Sequence, residues 1–308
     1  MFTEYFTALS QTACSVYGEG DTIAIRDDEG TEFIGSAAYL APGLFITAKH
    51  VVEHPLIKVG ISKEIYENRK YGQLDGNYGT DKFRIEAVQL LKLEEKIAQR
   101  WPLEKMRFSH DFDFAIATAS TTEGPISNLV DKLPVISVNI HPVPFELNVV
   151  SCGFFGKTTH TNDADGTDNH DLTFQGRKGK LVNFHLDTAS VAGPVVYEVN
   201  NKIEHMMSGG PTFNHEGSIL GVNSAGLGPT EKDSTNRSVI TPLIRAMFMD
   251  FDYWIDGSWR RTTLYELSAR GIIEVIGYEH LSKNEKHIIW SPNSSCDYCK
   301  RGTEFHGQ

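Results

Sequence analysis

Long apolar runs are missing from this chain. No stretch approaches the roughly 18–20 residues that a membrane-spanning helix requires, so a helical span is not expected. The opening stretch, MFTEYFTALSQTACSVYGEG, lacks both a basic start and an apolar core and does not read as an export signal. Cysteine is scarce, with Cys14, Cys152, Cys296 and Cys299 in 308 residues. Without an export signal these read as free thiols in a reducing cytoplasm, which is the expected location. Positive charge is also short: 29 basic side chains face 40 acidic ones, a net charge of −11. An acidic surface repels phosphate backbones, and no Lys/Arg block reverses that locally, so nucleic acid is excluded as a partner. Internal repeats and low-complexity segments are absent.

What is present is an ordinary globular composition, 40% apolar and 22% charged, enough for a substantial core. Short β-branched and aromatic runs dominate the first half. TIAIRD (22–27), TEFIGSAAYLAP (31–42) and GLFITAKHVV (43–52) are separated by turn residues, which predicts an all-β protein. Residues 63–80 read as a polar loop insertion, and 85–100 as a strand followed by a short amphipathic helix. Further strands are predicted at 112–120, 148–155, 176–186, 191–199, 217–226 and 237–243, with a long polar loop at 156–172. LIRAMFMDFDYW (243–254) has helical spacing. Residues 255–308 read as a separate appendage with a helix near 262–272 and a hairpin within 272–290.

Acyl transfer by serine needs a hydroxyl, an imidazole to take its proton, and a carboxylate to orient that imidazole. The chain supplies each at the edge of a predicted β-element. His50 follows the apolar run in GLFITAKHVV, and Asp113 precedes FAIA in DFDFAIATAS. Ser208 stands in the glycine-rich stretch MMSGGPTF, where Gly209 and Gly210 permit backbone angles that other residues avoid. Asp111 is a rival for the carboxylate, but Asp113 directly adjoins the strand.

TAKHV, DFAIA and SGGP, in that order, resemble the His, Asp and Ser motifs of trypsin/chymotrypsin-like serine proteases, in particular the bacterial trypsin-like branch. The likeness runs over about residues 20–250, although only these three stretches are specific. It implies two six-stranded antiparallel β-barrels, about 20–130 and 131–254, with a C-terminal helix, the small α+β appendage beyond, and an active site between the barrels. It implies His50, Asp113 and Ser208 as a catalytic triad requiring no cofactor. The backbone amides of Met206 and Ser208 would be the oxyanion donors, and Ser224, Ala225 and Gly226 the strand that pairs with a peptide substrate. Lys202, six residues before the serine, would lie at the base of the specificity pocket and favour an acidic residue at the cleaved position.

One departure stands out. The family usually has glycine where this chain has Met206, and a methionine there either adopts a costly backbone geometry or leaves its amide turned away. Three functional readings follow: an endopeptidase controlled by a partner protein or by residues 255–308, a protease-fold adaptor that holds peptides without cleaving them, or a zinc-dependent binding protein centred on 296–306. Cys296 and Cys299 form half of a zinc site, which His280, His287 or His306 would have to complete. The acidic and histidine-containing loop with His160, Asp163, Asp165, Asp168, His170 and Asp171 fits no metal-binding spacing well.

Overall fold

The computed structural model describes residues 13–20, 30–58, 73–75, 83–92, 97–109, 112–121, 136–141, 143–160, 168–185, 196–227, 236–283 and 288–290. Asp111, Asp163, Asp165, Cys296, Cys299, His287 and His306 lie outside the described residues.

The fold is all-β. Its first half contains β1 (Ala13–Gly20), β2 (Gly30–Ala41), β3 (Leu44–Thr47), β4 (Gln73–Asp75), β5 (Phe83–Lys92), β6 (Ile97–Pro102), β7 (Lys105–Phe108) and β8 (Ala115–Thr118). Helix α1 (Lys49–Lys58) follows β3. These strands make one antiparallel sheet in the order β4-β7-β8-β3-β2-β1-β5-β6. The sheet has eight strands against the expected six, and among the described residues no pairing joins its two edges; the strand expected at 22–27 lies outside the described residues, and two other segments differ from their sequence patterns. The insertion expected as loop supplies β4, which pairs with β7. The segment expected as a short helix supplies β6 instead. Trp101 explains the latter: it is 1% exposed, its indole N–H donates to Gln89 at 3.1 Å, and its ring meets Phe45 edge-on at 5.7 Å. An aromatic residue buried on that scale outweighs weak helical spacing.

The second half contains β9 (Val138–Asn139), β10 (Asn148–His160), β11 (Asp168–His185), β12 (Val196–Val199), β13 (Pro211–Asn214), β14 (Ile219–Leu227) and β15 (Arg237–Pro242). Six of them close a barrel in the order β13-β10-β11-β12-β15-β14, with β14 pairing back onto β13. The polar region expected as a long loop is mostly hairpin: β10 and β11 pair from Asn148↔Lys180 out to His160↔Asp168.

The helix expected at 243–254 is reduced to a 3₁₀ turn, Leu243–Ala246. From there β16 (Phe251–Ile255) and β17 (Ser258–Thr262) form a hairpin. The FDYWI stretch buries every second residue, so the period that won is two, not 3.6. Asp256 and Gly257, with φ of 51° and 76°, make the two-residue turn that joins them. Helix α2 (Leu264–Ala269) lies where a helix was expected, capped by Thr263 and Glu266 in a reciprocal capping box. Then come β18 (Val275–Ile276), β19 (Leu281–Lys283) and β20 (Ile288–Trp290), the last two paired. β18 lies parallel to β9, which itself lies parallel to β14. Within the region expected as an appendage, β18 therefore adds to the barrel's sheet, while Ile255, Leu264, Leu267 and Leu281 join the core beside it.

One core joins all these parts. Leu44, Ile46 and Phe114 of the first half pack with Cys152, Phe213 and Val222 of the barrel and with Leu264, Leu267 and Val275 beyond it. Phe45, on the opposite face of β3, belongs to the first half's own core with Val51 and Trp101. β3 is buried on both faces for this reason, which is why it reads as an apolar run broken only by its last residue, Thr47. The catalytic candidates sit at the ends of these doubly packed strands. Among the described residues no helix is long and apolar enough to cross a membrane.

Candidate active site

β3 ends at Thr47 and α1 begins at Lys49, so His50 stands in the first helical turn. Backbone N–H groups of a first turn have no partner within their own helix. Here the His50 N–H donates to Asp113 Oδ1 at 3.1 Å. The same carboxylate lies against the imidazole, with Oδ1 at 3.0 Å and Oδ2 at 2.9 Å from Nδ1. Asp113 thus acts as a helix cap and as the partner of the ring at once. With the Nδ1 proton donated to the carboxylate, Nε2 keeps its lone pair for use as a base.

Asp113 is held on the short connection from β7 to β8. The Ser109 N–H donates to Phe114 O (3.0 Å), the Phe112 N–H to Ser109 Oγ (3.1 Å), and the rings of Phe112 and Phe114 stack at 6.2 Å. The carboxylate side chain is 4% exposed and the His50 side chain 25%, so the pair is dry on the acid side and open on the base side.

Ser208 lies on the loop that enters β13. The Met207 N–H donates to Glu204 O at 3.1 Å, closing a β-turn with His205 and Met206 at its centre. Met206 has φ = 78°, the left-handed value required at the third position of a type II turn, where glycine is usual. The methionine thus takes the glycine-like geometry, at a conformational cost on the order of 1–2 kcal/mol. Among the described residues neither the Met206 N–H nor the Ser208 N–H donates to a protein acceptor. These are two unspent backbone donors flanking buried Met207.

Contacts from Asn223 and from the first half seat the loop. Asn223, fully buried, donates from its side chain to Cys152 O (2.8 Å) and Met207 O (3.0 Å). The Gly209 N–H donates to Asn223 O at 2.7 Å. Gly209, with φ = 84°, lies so close to the first half that an added Cβ would fall 2.1 Å from both Ser36 O and Thr47 Oγ1. The serine is thereby brought to the end of the strand that leads into His50. Among the described residues its hydroxyl makes one hydrogen bond, donating to Ser224 O at 3.3 Å.

Ser224 sits at an irregularity of the β14–β15 ladder, between Asn223↔Ile240 and Ala225↔Val239. Its own hydroxyl is buried against Thr241 Oγ1 at 2.6 Å, which leaves its carbonyl for the Ser208 loop. Beyond it Ala225 and Gly226 pair with β15 on one side only. Among the described residues their other edge carries no strand, because β13 pairs with β14 no further than Val222.

Lys202 does not supply the buried charge expected of it. Its side chain is 56% exposed and its ammonium pairs with Glu204 Oε2 at 2.8 Å, a carboxylate that also receives Arg177 at 3.2 Å. Cys152 is buried and unbridged, and burial pushes its thiol pKa far up, which disfavours the reactive thiolate. The sequence reading missed Ser36, Thr47 and Asn223. Their one signal was a polar residue inside an otherwise apolar strand run, in FIGSAAYL, LFIT and GVNSAG.

A closed six-stranded barrel packed on a second antiparallel sheet is the all-β arrangement of the trypsin-like protease fold. No known family profile and no curated protein matches the sequence. Among solved structures the chain is similar to Deg5, at 15% identity over 79% of this chain and 89% of that one, with a TM-score of 0.49. It is also similar to the protease domain of MamO from Magnetospirillum magneticum in its apo form, at 13% identity over 78% and 96%, with a TM-score of 0.44.

Proposed function

We infer that the protein is a serine endopeptidase that cleaves peptide bonds through an acyl-enzyme. The observation that carries this reading is the double grip of Asp113 on His50, made at the point where the Ser208 loop is locked against the end of β3. Ser208 Oγ attacks the scissile carbonyl while His50 Nε2 takes its proton. Asp113 stabilises the imidazolium that forms. The negative charge that develops on the carbonyl oxygen is met by the N–H groups of Met206 and Ser208. As the C–N bond breaks, His50 returns the proton to the leaving amine. Water then enters, gives its proton to His50, and releases the acid, with Ser208 reprotonated. The substrate backbone would add a strand to the open edge at Ala225 and Gly226. We further propose that a partner protein or residues 255–308 control this activity inside the cell; free cleavage of casein by the isolated chain would count against that control.

A second reading, a peptide-holding adaptor without turnover, is favoured by one observation: the Ser208 hydroxyl is directed to the Ser224 carbonyl. A fluorophosphonate probe separates the two. Covalent labelling of the wild type and not of Ser208→Ala supports the peptidase; a wild type that resists the probe while binding peptide supports the adaptor.

A further inference from the structure

Ser36 belongs to β2 in the first half, yet most of its polar bonds are made to the barrel. Its N–H donates to Ser208 O at 2.9 Å. Its hydroxyl donates to Met206 O at 3.0 Å, across 170 residues of sequence, and accepts the Phe154 N–H at 2.9 Å. Its own carbonyl accepts the Thr47 hydroxyl at 2.7 Å. The position in the sheet makes this possible. The β2–β3 ladder ends at Ala37↔Thr47, so the next backbone groups along β2, those of Ser36, have no backbone partner in β3: the N–H turns to the loop and the carbonyl takes the Thr47 hydroxyl.

The geometry points to Ser36 as the positioning residue that sets the nucleophile loop against the strand carrying the base, an inference that rests on the peptidase reading. Its amide and hydroxyl hold the carbonyls on either side of Met207, fixing the segment between the two oxyanion donors. Thr47, three residues before His50, holds Ser36 in turn. One chain of hydrogen bonds therefore runs from the β3 end through Ser36 to Met206 and Ser208. Ser36 and Thr47 are both fully buried and every link has normal hydrogen-bond length, so a displacement at one end is passed along. Backbone pairing alone would need no hydroxyl at position 36; the hydroxyl adds the grip on Met206.

The test is saturable labelling by a fluorophosphonate probe, which separates initial binding (KI) from the bond-forming step (kinact). Ser36→Ala removes the grip on Met206, and Thr47→Val removes the link to β3 with little change of volume. Each is expected to lower kinact by roughly 10–100-fold with KI unchanged, the scale on which displaced reacting groups lose rate. The double variant is expected to lose less than the product of the two, because both cut the same chain. Thr47→Ser, which restores the hydroxyl, recovers most of the rate lost in Thr47→Val. Measurements are made well below each variant's unfolding midpoint; if Ser36→Ala does not fold, Thr47→Val decides. A wild type that fails to label overturns the peptidase reading and this one with it. A wild type that labels, beside variants whose kinact stays within twofold of it or whose loss lies in KI, overturns the role of Ser36 alone.

Discussion

Asp113 binds His50 twice, accepting the backbone N–H of its helical first turn at 3.1 Å and facing its ring Nδ1 at 2.9 Å. Replacing the acid by its amide should leave the cap in place and spoil the ring. In Asp113→Asn the side-chain oxygen still accepts the backbone N–H, but the amide NH₂ cannot accept the Nδ1 proton that the carboxylate holds. The variant is therefore expected to lose on the order of 10⁴ in acylation rate with a small change in stability. Rates of probe labelling beside a denaturant titration check it; a loss under tenfold would rule Asp113 out as the orienting group.

Met206 holds φ = 78° without being glycine. Relief of that strain, about 1–2 kcal/mol, exceeds the roughly 0.4–1 kcal/mol of unfolded-state entropy that glycine adds. Met206→Gly should be as stable as the wild type or slightly more so, and should label faster. Met206→Val should be less stable, because a β-branched residue tolerates positive φ worst. Chemical denaturation of the three proteins gives the order; a valine variant at least as stable as the glycine one would contradict the turn geometry.

Gly209 and Gly257 both have positive φ, at 84° and 76°, but differ in their surroundings. A Cβ on Gly209 would lie 2.1 Å from two oxygen atoms of the first half, whereas one on Gly257 meets nothing within 4 Å. Gly257→Ala is expected to cost about 1–2 kcal/mol, the left-handed penalty alone. Gly209→Ala should cost on the order of 3 kcal/mol or more, because strain and overpacking add, and should abolish labelling. Equal stability losses for the two would mean that the Ser208 loop is not seated against Ser36 and Thr47.

Tyr253 donates its hydroxyl to Pro42 O at 2.8 Å, and burial pushes its pKa up to about 12 from the ordinary 10. The folded state thus holds the phenol proton more tightly than the unfolded chain. The stability this gives is fully present below pH 10 and is lost as the pH rises through 12. Tyr197, also raised to about 12 by burial, contributes to the same loss. Tyr253→Phe should cost about 1 kcal/mol near neutrality, the worth of its hydrogen bond, and should soften the fall between pH 10 and 12. Urea midpoints measured across that range are the check; an unchanged alkaline slope in the variant would count against burial of Tyr253.

The strands around the site were legible because their burial is complete. β3 and β8 are apolar at every position or nearly so, and such runs announce themselves without a partner in view. Segments whose state depended on a distant contact were not legible. IAQRWP became a strand because Trp101 found Tyr39 and Phe45, and FDYWI became a strand because its alternate residues entered a core assembled from both halves. Lys202 was misplaced for a related reason: a lysine's burial is set by whether a carboxylate stands nearby in the fold, and Glu204 holds this one at the surface.

By itself the sequence determined that a histidine, an aspartate and a serine follow one another in that order, because His50, Asp113 and Ser208 each lie in a local pattern that positions them at the edge of a β-element. It determined as well that position 206 lacks the usual glycine. The tertiary structure alone decided that Met206 nonetheless adopts the glycine-like angle, that Asp113 caps the helix bearing His50, and that Ser36 joins the two halves at Met206 and Ser208. The hydrogen bonds among them span from 63 residues of sequence to 170 and beyond, and a bond between groups that far apart has no periodicity to betray it until the chain has folded.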